Sequence, residues 1–160
     1  MKSFLKGFVY AGRGVAYCIA NERNFRVHLC FTVYMFCFLR LMDFFVISNA
    51  ELGVLLALCA LVLGFECINT ALERAVDLVS SERSELARVA KDTAAGAVLV
   101  CAVFAVIAGI VIMYQPEAFS KMYAYYAEHP GMLAILTVSI ILSLVFVFLP
   151  SYIKEKKKND

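Results

Sequence analysis

Four largely apolar stretches, separated by short polar segments, predict helices that lie in a membrane. One of them, 52–72, is 21 residues long, and as a helix it extends about 31 Å, enough to cross the ~30 Å hydrocarbon layer. Together with its polar ends it predicts a helix over 49–78, where Ser48 and Glu51 have the spacing of a capping box. The other three stretches predict spans over about 29–42, 91–113 and 132–149.

The chain begins with a different pattern. Between residues 3 and 25, Phe4, Phe8 and other apolar residues recur at helical spacing, and basic residues occupy positions between them. A helix with one apolar and one basic face lies in the membrane interface, so we expect 3–25 to form an amphipathic surface helix. We expect no cleavable signal peptide, because basic residues interrupt each apolar run of this segment.

Two prolines, Pro116 and Pro130, flank a segment that is rich in tyrosine. Tyrosine concentrates where a membrane meets water, so 116–131 is predicted to be an outer loop. The chain is therefore divided into a membrane domain over 1–115, this loop, and an additional transmembrane helix with a basic tail over 132–160.

Composition supports the membrane assignment, since 62% of the 160 residues are hydrophobic, against roughly 45–50% in soluble domains. The predicted fold class is an all-α integral membrane protein, with a surface helix, three core transmembrane helices and a fourth, C-terminal one. The six cysteines lie in apolar stretches without paired spacing, which is typical of free thiols. There is no basic stripe with interleaved aromatics, so nucleic acid is not expected as a partner.

The distribution of cations predicts the orientation in the membrane. Of the 15 lysines and arginines, only Arg40 and Lys121 fall outside three segments: the one before the first span, the 73–92 connection and the C-terminal tail. Positive charge concentrates on the cytoplasmic side. Both termini and the 73–92 connection are therefore expected in the cytoplasm, at a bacterial cytoplasmic membrane.

Polar residues interrupt the second apolar helix on one side. Asn69, Glu73 and Asp77 follow Glu66 at offsets of 3, 7 and 11, which places each of them within about 60° of Glu66 around the helix. A carboxylate inside a membrane costs about 3 kcal/mol and calls for a functional reason. The stripe is predicted to lie where the helix leaves the membrane on the cytoplasmic side.

Three acids on one face repel each other unless a cation lies among them. Magnesium takes one or two carboxylates together with substrate phosphates. Glu22, on the surface helix, could supply a ligand from another direction, and Lys91 adds a positive charge on the same side. These features favour phosphoryl transfer to a lipid hydroxyl, a reaction that depends mainly on positioning and charge neutralisation.

Three segments resemble the motifs of the prokaryotic diacylglycerol kinase family, in the family's order. Residues 66–77 have the pattern E-x-x-N-[ST]-A-x-E-x-x-x-D, and residues 21–28 (NERNFRVH) and 90–98 (AKDTAAGAV) resemble the other two motifs. The form of 21–28 is closer to the undecaprenol kinase branch of Gram-positive bacteria than to the diacylglycerol-using branch. The family's usual protomer has three spans, so the fourth has no counterpart in it.

The resemblance implies a homotrimer whose active sites are shared between neighbouring chains, with ATP as phosphoryl donor and Mg²⁺ as cofactor. It makes Glu66 the general base that takes the proton of the lipid alcohol, and Glu22 and Glu73 the metal ligands. Near the nucleotide it places, besides Glu22 and Glu73, the residues Tyr10, Glu82, Ser84, Lys91 and Asp92. As supporting residues of the site it implies Asn69, Asp77 and Ala95.

The function expected from the sequence is an ATP- and Mg²⁺-dependent lipid kinase that phosphorylates undecaprenol, with diacylglycerol as the alternative acceptor. The sequence does not decide between them, because both lipids present one hydroxyl at the interface. An alternative of another class is a non-enzymatic membrane protein, such as a transporter or assembly subunit whose acidic stripe binds cations. A phosphatase is disfavoured, since no motif rich in His and Arg is present.

Overall fold

The computed structural model describes residues 2–79 and 84–159, with side chains over 4–79 and 84–150. These ranges are helical apart from short connections, which confirms the all-α class. The helices are α1 (Lys2–Asn21), α2 (Arg23–Arg40), α3 (Asn49–Val79), α4 (Glu85–Met113), α5 (Pro116–Glu128) and α6 (Pro130–Asn159).

The surface helix ends earlier than the sequence predicts. α1 stops at Asn21, Glu22 is extended with φ −106° and ψ 115°, and α2 begins at Arg23. Asn21 favours this end, because its side-chain amide donates to the carbonyl of Tyr17 at 2.8 Å, and such local bonds to the backbone compete with continuation of the helix. The predicted segment 3–25 is therefore one helix and the first turn of another.

Three helices in the described part of the chain are long and apolar enough to cross a membrane: α3, α4 and the 130–150 part of α6. This confirms an integral membrane protein, and the crossing predicted at 29–42 stays a prediction. α2, which contains the predicted span 29–42, is not among them. Arginines at both of its ends, Arg26 and Arg40, leave an apolar length of about 20 Å between them.

The helices pack in a definite order. α4 runs along α3 and packs against no other described helix, while α2 lies between α3 and α6, and α1 contacts α2, α3 and α6. Polar contacts join α2 to α6: the Tyr34 hydroxyl lies 3.0 Å from the hydroxyls of both Ser139 and Ser143. The additional helix α6 is thus attached to the side of α2 that faces away from α3.

The predicted loop 116–131 is mostly a helix, α5, which is a correction. Pro116 occupies its first position, where a missing N–H does no harm, and Ala118 and Tyr126 are spaced to bury one face. They pack with Leu39, Phe44, Phe45 and Leu55 in the largest apolar cluster among the described residues. The apolar residues of this segment do recur at helical spacing, but its many tyrosines favoured the interpretation as a loop.

The side chain of Gln115, the residue before α5, links this helix to the segment between α2 and α3. The Gln115 side chain accepts a hydrogen bond from the Val46 N–H at 3.1 Å and donates one to the Val46 carbonyl at 3.0 Å. Both backbone groups would otherwise lack a partner at an irregular segment. The end of the molecule opposite Glu66 is therefore fixed by packing and by hydrogen bonds.

Candidate functional site

Glu66 lies on the buried face of α3. Leu55, Val62, Glu66 and Thr70 are the buried residues of this helix, and their spacing of 7, 4 and 4 positions keeps them on one side. Only 4% of Glu66 is exposed. Its carboxylate therefore points into the protomer, toward α2, and not into surrounding lipid.

The side chain that meets Glu66 from α2 is His28. Its Nε2 lies 3.6 Å from the Glu66 Oε1. Partial burial lowers the pKa of His28 below its ordinary value, so the imidazole is neutral near pH 7. A neutral imidazole with its proton on Nε2 faces the carboxylate with a donor rather than with a charge.

Sequence reasoning assigned no role to His28. It lies in the 21–28 segment, six positions after Glu22, so its membership in that segment was the available signal. Its proximity to Glu66 depends on how α2 packs against α3, which no local pattern gives.

Two further carboxylates act on Glu66. The charges of Glu22 and Glu73 both interact with it electrostatically, the first from the corner between α1 and α2 and the second from α3. Glu22 is the residue before α2, but its side chain makes no capping hydrogen bond. Two of the acids that the sequence selected therefore lie within electrostatic range of Glu66.

Asn69 joins this group. Its amide Nδ2 donates to the Glu73 Oε1 at 3.0 Å, and its carbonyl Oδ1 is buried with no hydrogen-bond partner. A buried oxygen without a partner is uncommon and calls for an explanation. Among the described residues, no three His, Cys, Asp or Glu side chains are arranged to hold a metal by themselves.

The other predicted residues at this end of the molecule are engaged in ion pairs. The Lys91 ammonium pairs with the Asp77 carboxylate, which links α4 to α3. Asp92, predicted as the partner of Lys91 at the nucleotide, instead accepts from the Arg88 guanidinium at 2.8 Å. Lys91 is thus held about one helical turn beyond Glu73 on the polar side of the site.

The remaining candidates are not brought to Glu66 within the described protomer. Tyr10 is 63% exposed on α1, and Ala95 is exposed on α4. The Ser84 hydroxyl caps α4 by accepting from the Ala87 N–H at 3.1 Å. Glu82 lies outside the described residues.

A separate apolar groove of about 480 Å³ lies between α2, α5 and α6. Cys30 and Tyr34 line it from α2, and Leu136 lines it from α6. Cys30 lies about 160° around α2 from His28, so α2 itself separates this groove from Glu66. The groove is therefore not part of the acidic site.

The geometry provides one shielded carboxylate next to a neutral imidazole. Two half-buried acids, Glu22 and Glu73, lie on its polar side, and a lysine lies about one turn beyond Glu73. The shielded group can accept a proton from a hydroxyl that enters from the membrane side. The two outer acids can neutralise a divalent cation on the polar side.

Comparisons with known proteins address the same segments. The family model described as prokaryotic diacylglycerol kinase matches residues 9–113. The chain is 44% identical to a diacylglycerol kinase of Synechocystis sp. over 115 residues, which are 71% of this chain and 64% of that protein. It is 38% identical to an undecaprenol kinase of Bacillus subtilis over 113 residues, 70% of this chain and 89% of that protein.

The chain thus spans slightly less than two thirds of the Synechocystis protein and most of the Bacillus one. No solved structure matches it. The family match ends at Met113, the last residue of α4, so α5 and α6 lie beyond the matched region.

Proposed function

The chain belongs to the prokaryotic diacylglycerol kinase family, a family of lipid kinases, and from this premise we propose that it transfers the γ-phosphoryl group of ATP to the hydroxyl of undecaprenol. The observation that carries the proposal is the burial of a carboxylate, Glu66, among helices of a membrane protein, within electrostatic range of Glu22 and Glu73. Family membership argues against the non-enzymatic alternative.

Glu66 is the proposed general base. A carboxylate at the membrane edge can take the hydroxyl proton of the lipid onto one of its oxygens as the oxygen of the lipid attacks the γ-phosphorus of ATP. Its 4% exposure limits competition from water for that position. His28 would keep the carboxylate oriented, since its Nε2 lies 3.6 Å from Oε1.

Glu22 and Glu73 are the proposed ligands of Mg²⁺. Their donor chemistry fits the ion, because magnesium prefers oxygen ligands and needs only one or two carboxylates when phosphates supply the rest. Asn69 supports the fit, as its amide holds Glu73 and its buried carbonyl oxygen has no other partner. The bound ion would neutralise the charge of the ATP phosphates during transfer.

Nucleotide binding is proposed at the polar end of α3 and α4. Lys91, held there by Asp77, could turn from this carboxylate to a phosphate oxygen. Asp92, Tyr10, Ser84 and Glu82 stay candidates for contacts with ATP. The cytoplasmic orientation of this end is proposed from the distribution of cations.

Shared active sites in a homotrimer remain part of the proposal. α4 supports it, because Val98 is the only buried residue of this apolar helix, and Ala95 lies on its exposed surface. Small residues such as those at 94–97 allow a second helix to approach closely.

The choice of acceptor is tested by competition. With radiolabelled ATP and mixed micelles that contain undecaprenol and diacylglycerol in equal amounts, we expect label in the prenol to exceed label in the diglyceride by about tenfold, a ratio that apolar recognition can supply. The form of the 21–28 segment supports this direction. Each lipid offered alone serves as the control for its presentation in the micelle.

Preferential labelling of diacylglycerol would contradict the choice of acceptor but leave the kinase in place. Absence of label in either lipid, from protein that is folded and supplied with Mg²⁺, would refute the proposed function.

His28 provides a second test in this site. Replacing His28 by alanine is expected to lower kcat by about tenfold or less, since the 3.6 Å between its Nε2 and the Glu66 Oε1 is longer than a hydrogen bond and the contact is a weak electrostatic one. His28→Gln, which places an amide donor near the position of Nε2, is expected to retain most activity. Steady-state kinetics at saturating ATP and lipid measure both variants.

The matched control is His129→Ala. His129 follows the last residue of α5, and its ring Nδ1 donates to the Tyr125 carbonyl at 2.9 Å, so kcat should be unchanged. Equal kcat for His28→Ala and the wild type would show that the imidazole does not support Glu66.

A further inference from the structure

Arg26 is the most deeply buried large side chain of the described chain, with 1% of the residue exposed. Its Nη1 donates to the Ile19 carbonyl at 3.0 Å, and its Nε and Nη2 donate to the Val147 carbonyl at 3.2 and 2.9 Å. One guanidinium on α2 therefore binds the backbone of α1 and of α6. The rigid planar fork holds its donors in fixed directions toward two carbonyl groups, a geometry that the compact ammonium of lysine does not have.

The two acceptors are available because of how their helices end or bend. α1 stops at Asn21, so the carbonyl of Ile19 lies in its last turn and has no partner within the helix. In α6, Pro150 lies three residues after Val147. Proline has no N–H for the carbonyl four residues before it, that of Phe146, and its ring disfavours a straight helix, so the helical ladder is interrupted one residue before Val147.

Arg26 also lies next to Glu22. Its N–H donates to the Glu22 carbonyl at 3.3 Å, in the first turn of α2. The Glu22 carboxylate acts electrostatically on the guanidinium as it does on Glu66. The side chain that anchors α6 is therefore the neighbour of a proposed metal ligand.

We propose that α6 is a positioning element of the active site, which holds Arg26 through the Val147 carbonyl and thereby fixes the corner between α1 and α2 that carries Glu22. The inference rests on the proposed function, because it concerns Glu22 as a ligand of Mg²⁺. α6 lies beyond the family match at 9–113, so this support comes from outside the matched region. Arg26 is a positioning residue in this scheme and contacts no reacting atom.

The test is the affinity of the full chain for Mn²⁺, a spectroscopic substitute for Mg²⁺, with a non-hydrolysable ATP analogue. In Arg26→Lys the charge remains but the two-carbonyl fork is lost. We expect Mn²⁺ to bind about tenfold more weakly by electron paramagnetic resonance, as is common when a supporting partner of a metal ligand is altered. The Mg²⁺ concentration for half-maximal kinase activity should rise by the same factor, with kcat at saturating Mg²⁺ within about twofold of the wild type.

Two further variants separate positioning from general stability. Tyr34→Phe removes hydrogen bonds to Ser139 and Ser143 in the same interface of α2 and α6 but lies about two turns from Arg26, so Mn²⁺ affinity should not change. Pro150→Ala restores an N–H in α6, and it should weaken Mn²⁺ binding in the same direction as Arg26→Lys. This variant carries the test if Arg26→Lys does not fold.

Unchanged Mn²⁺ affinity in folded Arg26→Lys and in Pro150→Ala would overturn the inference, and so would an equal loss in Tyr34→Phe. These results would leave the kinase proposal intact, because wild-type phosphorylation of lipid is measured in parallel. A wild-type protein that phosphorylates no lipid would instead refute the proposed function.

Discussion

Replacing Glu66 by glutamine is expected to lower the turnover of lipid phosphorylation by about 10²–10⁴-fold, the contribution of a positioned general base. The amide has nearly the shape of the carboxyl group, so it fits the buried position beside His28, but it cannot take a proton from the lipid hydroxyl. Transfer of radiolabel from ATP to undecaprenol in micelles measures the loss, and circular dichroism with thermal unfolding checks that the variant is folded.

Glu117→Gln is the matched control for that experiment. Glu117 is an exposed residue in the first turn of α5, at the end of the molecule opposite Glu66, so the same chemical change should leave turnover unaltered. A rate for Glu66→Gln near that of the wild type, with Glu117→Gln also unchanged, would remove Glu66 from the mechanism and with it the proposed course of proton transfer.

Local periodicity was enough to predict part of this molecule. The boundaries of α3 were predicted within one residue, because the apolar run and its polar ends are continuous along the chain. Helical spacing likewise placed Glu66, Asn69 and Glu73 on one face, and the structure has Asn69 bonded to Glu73. What these residues do in catalysis stays a prediction.

Long-range contacts explain most of what the sequence missed. The corner at Glu22 is held by Arg26, whose partner Val147 lies 121 residues away in the chain, and no window of sequence contains both. His28 has the same difficulty, since only the packing of α2 on α3 brings it to Glu66. The helix α5 was missed for another reason. Its apolar residues have helical spacing within a single stretch of sequence, but this spacing was given less weight than the tyrosines.

Packing bears on how the helix that contains 29–42 lies in the membrane. The short apolar run predicts a crossing, and residues around this run also bond to neighbouring helices. Arg26 bonds to two neighbouring helices, and Tyr34 bonds to α6. Short apolar helices of this kind are more often covered by other helices than exposed to lipid on all sides. A helix flanked by α3 and α6 meets that description.

Glu73→Ala is expected to raise the Mg²⁺ concentration needed for half-maximal activity by about 10- to 100-fold, the range seen when the environment of a protein-bound metal is disrupted. Only two carboxylates, Glu22 and Glu73, are proposed to hold the ion, so losing one removes half of the charge that the protein supplies. Asn69 also loses the acceptor of its amide. A magnesium titration of initial rates at saturating ATP measures the change.

Asp77→Ala is the comparison, because Asp77 lies on the same face of α3 one turn further along and is paired with Lys91 rather than directed at Glu66. Removing the Asp77 carboxylate should change the half-saturating ATP concentration, because Lys91 loses its partner. The Mg²⁺ concentration for half-maximal activity in the magnesium titration should not change. If Glu73→Ala and Asp77→Ala shift that titration equally, the acids act through their summed charge, and Glu73 is not a ligand. If Glu73→Ala does not shift it at all, the ion is held elsewhere. A shift confined to Glu73→Ala therefore identifies direct ligation, since total charge falls by the same amount in both variants.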